Sequence, residues 1–133
     1  MPTEDARLED ARAWLAKAAL DLRAANLEFQ APDAGLWGDI AFHAQQASEK
    51  ALKAFLAWHD RPFRKTHSIE EIGRVCAGID PALAPFVDSA APLTEFAWKY
   101  RYPGDTGEPS QDEAARAVEI ATALVEAVRA RIS

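Results

Sequence analysis

An all-α fold is predicted: an antiparallel up-and-down bundle of four to five helices, with one or two short helices between the second and last long ones. Three observations in the 133-residue chain predict it. Apolar residues recur at alternating steps of three and four along three long stretches, the spacing that lines one face of an α-helix. Alanine dominates the apolar set, and it has the highest helix propensity. No stretch of any length alternates apolar and polar residues at the period of two expected of a half-buried strand. The length suits a single domain over residues 1–133 with one core.

The first helix is expected from about Glu4 to Phe29. Leu8, Ala11, Leu15, Ala18, Leu22, Ala25 and Phe29 form its apolar seam, and Glu4, Asp5, Glu9 and Asp10 suit the positive end of the helix dipole. Pro32, Asp33 and Gly35 then mark a loop. The second helix, from about Leu36 to His59, is the most informative. Ile40, Ala44, Ala47, Ala51, Ala54 and Trp58 share one face, whose small central residues let another helix approach closely, while Leu52, Phe55 and Leu56 widen it. Beside them His43, Gln46, Lys50 and Lys53 form a polar stripe, read either as a solvated face or as a set of ligand contacts.

Arg61-Pro62-Phe63-Arg64-Lys65-Thr66 is a basic connector, through which Pro62 prevents the helix from continuing cleanly. Ser68 and Glu71 read as a capping box opening a short helix that Gly78 closes, with Ile69, Ile72 and Cys76 on its core face. Asp80-Pro81 is a second start signal. Pro85 and Pro92 keep the helical pieces after it short, with a better one from Pro92 to Tyr100 carrying Leu93, Phe96 and Ala97. A loop runs from Arg101 to about Ser110. The last helix, from about Gln111 to Ile132, repeats the seam with Ala114, Val118, Ala121, Val125, Val128 and Ile132. Wide apolar faces on three long helices, with Trp14, Trp37 and Trp58 adding to them, predict a homodimer.

Composition narrows the function. The net charge of −6 argues against indiscriminate nucleic-acid binding by the whole surface. Yet Lys50, Lys53, Arg61, Arg64 and Lys65 cluster against a single Asp60, a local basic patch suited to one anionic ligand. One cysteine permits no internal disulfide, and neither a bilayer-length apolar run nor a signal peptide is present, so a cytoplasmic location is expected with no membrane association. The three histidines show no paired metal-ligand spacing, and there is no phosphate-cradling glycine loop, so neither a metal nor a cofactor is expected.

Two segments retain chemical promise. In the first, Arg61, Arg64, Lys65 and His67 gather on a proline-bent loop. Arginine grips phosphate bidentately and histidine moves a proton near neutral pH, the pairing a metal-independent RNase needs. The alternative for His67 is a structural role at the cap of the next helix. In the second, Arg101 lies between Tyr100 and Tyr102 and could clamp a phosphate or stack on a base, while the tyrosines could equally pack on the bundle.

Four blocks in order carry a family resemblance: W-L-x-K-A-x-x-D-L (Trp14 to Leu22), F-H-A-Q-Q-A-S-E-K-A-L-K-A (Phe42 to Ala54), K-T-H-S-I (Lys65 to Ile69) and R-Y-P-G-D (Arg101 to Asp105). They resemble HEPN-domain proteins (the higher-eukaryote and prokaryote nucleotide-binding domain) of the bacterial and archaeal branch. The resemblance implies a small helical bundle that dimerises and binds a nucleotide or RNA. It also implies pairing with a minimal nucleotidyltransferase in an arrangement resembling a toxin–antitoxin module. Many such proteins are RNases with an arginine followed a few residues later by a histidine, late in the bundle. Here Arg61 and His67 fit that spacing but lie between the second and third helices, and no histidine follows. The chain therefore looks more like the binding side of the family, with Arg101 and the His43, Gln46, Lys50 and Lys53 stripe as ligand contacts.

Overall fold

The computed structural model describes residues 2–31, 35–104 and 107–132; Pro32 and Asp33 of the first loop, and Asp105 of the last sequence block, lie outside the described residues. The described residues form five α-helices and no strand: α1 Glu4–Phe29, α2 Trp37–Trp58, α3 Ile69–Ile79, α4 Ala84–Ala90 and α5 Gln111–Arg129. Two 3₁₀ segments, Pro81–Leu83 and Ala91–Ala97, flank α4. The segment expected to be helical from Pro92 to Tyr100 is therefore a tighter 3₁₀ run that stops at Ala97, followed by a turn in which Tyr100 takes a left-handed φ of 67°.

Helix α2 is the axis of the fold, packing along α1 and α5 and also against α3 and the 91–97 segment. Its seam explains this. Ile40, Ala44, Ala47, Ala51 and Ala54 are fully buried, as are Leu52 and Leu56 on the widened face. Ala11, Ala18 and Ala25 from α1 and Ala114, Ala121 and Val125 from α5 are buried as well, so small side chains line all three helices. The seams are thus consumed within the chain. The tryptophans are also partly covered: Trp14 stands edge-on to Phe63 at 5.9 Å and Trp37 to Phe29 at 5.6 Å. Large apolar exposure falls instead on Leu20, Leu27, Leu36, Val75, Trp98 and Tyr102.

Helix ends differ from expectation in instructive ways. Ser68 Oγ accepts the Glu71 N–H at 3.1 Å, but the Ser68 N–H goes to Thr66 Oγ1 and the Glu71 carboxylate holds Arg64, so the expected box is half formed. The complete reciprocal box is at α5, between Ser110 and Glu113. Helix α3 runs through Gly78 to Ile79, and Asp80 then caps the next turn by accepting the Ala82 N–H, with Pro81 behind it. The first turn of α2 has no side-chain cap of its own. Glu108 supplies one from the later loop, accepting the Gly38 N–H at 3.0 Å.

Helix α2 ends before Pro62 is reached. Asp60 adopts φ 52°, its N–H bonding Ala57 O at 3.1 Å while the Arg61 N–H bonds Leu56 O at 2.8 Å. These paired bonds make a Schellman turn with aspartate where glycine is usual. That turn carries Arg61, Pro62 and Phe63 away from the helix axis.

Cys76 is a core residue, as its spacing predicted: it is fully buried, its sulfur is 3.6 Å from Leu52 O, and burial pushes its thiol pKa up to about 12. Among the described residues no helix is long and apolar enough to cross a membrane.

Candidate functional site

The polar stripe of α2 does not face solvent. It faces α1, where Asp21 meets two of its members: His43 Nδ1 lies 3.0 Å from one carboxylate oxygen and Lys50 Nζ 2.7 Å from the other. Gln46 donates to the Gln45 side chain at 2.7 Å. Lys53 is 9% exposed, bonds Glu49 at 2.9 Å, and sits 5.5 and 5.6 Å from the Trp14 and Phe63 ring centres. Of the two readings of the stripe, the solvated face is the one this geometry corrects: all four side chains make contacts within the chain. Asp21, the acid that absorbs His43 and Lys50, lies on a different helix, beyond the reach of spacing rules within one helix.

At the N-terminal end of α2 the stripe joins a second group. His43 Nε2 is 3.5 Å from both Glu28 Oε1 and Asp39 Oδ2, and Arg101 reaches Asp39 at 3.1 Å with its guanidinium 3.7 Å above the Phe42 ring. Burial, followed by a hydrogen bond to Asp39 and the charge of Asp39, raises Glu28 to about 7 against the pull of His43. The hydrogen bond from Glu28 is the main reason the Asp39 carboxyl lies below its ordinary value. Of the two acids Glu28 is thus the one that holds a proton more readily, and Asp39 the one that accepts its hydrogen bond. Glu28, Asp39 and His43 each bring a ligand atom within 4.8 Å of the others, so among the described residues this is the set that could hold a metal ion. Its signal was the four-residue spacing of Asp39 and His43 on one helix, which a search for paired histidines passes over. Arg101 already supplies positive charge there.

Tyr100 packs against Phe96 at 6.2 Å, while Tyr102 is 67% exposed. Arg101 is thus engaged by Asp39 and Phe42 rather than standing between its two tyrosine neighbours.

The loop from Arg61 to His67 presents the other arrangement. His67 does not cap α3; Ser68 does. Its imidazole is 63% exposed and its Nδ1 lies 2.8 Å from Glu49 Oε1, a carboxylate 5% exposed on α2. Glu49 also accepts from Lys53 and Gln45, and Gln45 donates to the His67 backbone oxygen at 3.3 Å. Burial alone would raise the Glu49 carboxyl, but the bonds from Lys53 and His67 hold it below its ordinary value. A buried ionised acid on Nδ1 fixes the ring and leaves Nε2 as the atom that can accept or donate a proton outside.

On the loop that leads to His67, Arg61 and Lys65 are exposed, and Arg64 is 81% exposed while pairing with Glu71 at 3.0 Å. The sequence brought Arg61, Arg64, Lys65 and His67 together on one loop. It did not single out Glu49, which inside F-H-A-Q-Q-A-S-E-K reads as another surface charge.

A family model described as HEPN domain matches residues 11–131. The crystal structure of an archaeal HEPN homologue is similar in fold, with a TM-score of 0.71 and 22% identity over 92% of this chain and 98% of that one. No curated protein matches the chain.

Proposed function

The chain belongs to the HEPN domain family, and from that premise we propose that it binds a nucleotide or RNA through the basic loop between α2 and α3. The observation that carries this is the exposed His67 ring, oriented by buried Glu49 and accompanied by Arg61, Arg64 and Lys65. Exposed cations on the loop that ends at an oriented imidazole suit phosphate oxygens, while an overall acidic surface discourages binding elsewhere. Replacing Arg61, Arg64 and Lys65 together is expected to weaken binding of a short RNA and flatten its salt dependence, because each lost phosphate contact removes released counterions. An unchanged slope of log affinity against log salt removes the loop from the site.

The Glu49–His67 pair favours a second reading, metal-independent RNA cleavage with His67 as general acid or base and Arg61 or Arg64 on the phosphate. Under it, EDTA-resistant cleavage falls by about 10²–10⁴ in His67→Ala, the usual worth of one such group. Binding without any cleavage by the unaltered protein leaves the binding reading alone.

The finer reading, a homodimer working beside a minimal nucleotidyltransferase in a toxin–antitoxin-like pair, rests on family membership. Light scattering of the chain alone, and after coexpression with such an enzyme, checks it. A monomer at micromolar concentration that recruits no partner overturns it.

A further inference from the structure

Between the start of α1 and the end of α2 lies an open cavity of about 250 Å³, sharing Pro62 and Phe63 with the separate hollow that Arg64 lines. Its walls carry two guanidinium groups, Arg7 from α1 and Arg61 from the loop, together with the carboxylates of Asp10 and Asp60 and the ring of Phe63. Among the described residues neither arginine has a carboxylate partner. Arg7 lies 5.9 Å above the Trp58 ring, and its Nε is buried with no hydrogen-bond partner. Both arginines also act on His59 beside the cavity, where, after burial, their positive charge holds the imidazole below its ordinary value.

We propose that this cavity is a phosphate subsite in which Arg7 and Arg61 together hold the terminal phosphomonoester of a nucleotide. The identification as a nucleotide rests on the function proposed above; the phosphate rests on the two arginines. A monoester carries nearly two negative charges at neutral pH, and since neither guanidinium is paired with Asp10 or Asp60 on the same walls, its oxygens can accept the N–H donors that both arginines present in one plane. A phosphodiester in a strand interior carries only one charge and would gain less from the second arginine. The Phe63 ring gives the sugar or base an apolar wall, and Asp10 and Asp60 accept from hydroxyl or amino groups. The turn at Asp60 brings Arg61 to the cavity wall that α1 shares. Helix α1 thus contributes to the ligand site through Arg7, a residue outside every sequence block of the family resemblance.

Calorimetric titration of the full chain with the four ribonucleoside 5′-monophosphates, their nucleosides and inorganic phosphate tests the proposal. At least one monophosphate is expected to bind ten times or more tightly than its nucleoside. Arg7→Gln and Arg61→Gln should each weaken that monophosphate about tenfold, Arg7→Lys should weaken it less, and the distant Arg116→Gln should leave it unchanged. Circular dichroism confirms that each variant is folded. Equal affinity for nucleoside and monophosphate, or unchanged affinity in Arg7→Gln, overturns the subsite. If RNA binding still collapses in the triple loop variant, the subsite fails alone; if the unaltered chain binds neither nucleotide nor RNA, both proposals fail.

Discussion

Glu49→Ala is expected to destabilise the chain by about 3–5 kcal/mol, the cost of removing one partner from a buried ion pair. Glu49 is 4% exposed and accepts from three donors on two segments: Lys53 and Gln45 on α2 and His67 beyond the loop. Without it the Lys53 ammonium stays buried between Trp14 and Phe63 with no counterion, and Gln45, itself fully buried, loses an acceptor. Glu49→Gln keeps the volume and one acceptor and should cost less.

The pH dependence has a definite sign. Because the folded state holds the Glu49 carboxyl below its ordinary 4.5, its contribution is full above that value and is lost as pH falls through and below it. Urea unfolding at pH 7 and at acid pH reads both effects. A loss under about 1 kcal/mol in Glu49→Ala would mean that the buried cation is compensated elsewhere, and the orientation of His67 would then need another source.

The helices were legible because their signals are local: three seams at helical spacing, alanine-rich faces, and prolines that break the chain between residues 81 and 92. Helix ends were less legible because caps are chosen in three dimensions. Glu108 caps α2 from seventy residues away, and Glu71 leaves its own box for Arg64. The candidate site divides along the same line. Its exposed cations are close together in sequence and could be read there. What disposes them is not: Asp21 on α1 claims His43 and Lys50 on α2, and Glu49 reaches His67 across the loop. A stripe of basic side chains looks the same in sequence whether it faces water or a buried acid.

Gly73→Val should cost about 3 kcal/mol, the upper end of the range for overpacking a core. Gly73 lies in α3 with no unusual backbone conformation, so its need is steric. Even a single added Cβ would stand 2.4 Å from Val87 Cγ1 and 3.0 Å from Cγ2 on α4. Val87 is fully buried, and its β-branched side chain cannot swing away. Glycine inside a helix costs roughly 1 kcal/mol in propensity relative to alanine, so its presence here trades helix stability for the close approach of α3 and α4. Combining Gly73→Val with Val87→Ala partly restores the volume balance, and the double variant should lose less than the sum of the two single losses, by on the order of 1 kcal/mol or more. Chemical unfolding of the four proteins gives that coupling directly. Strict additivity would show that the two helices separate to admit the new side chain. In that case α3, which begins just after Ser68 beside the candidate site, would be free to shift, and RNA binding should change in Gly73→Val as well as stability.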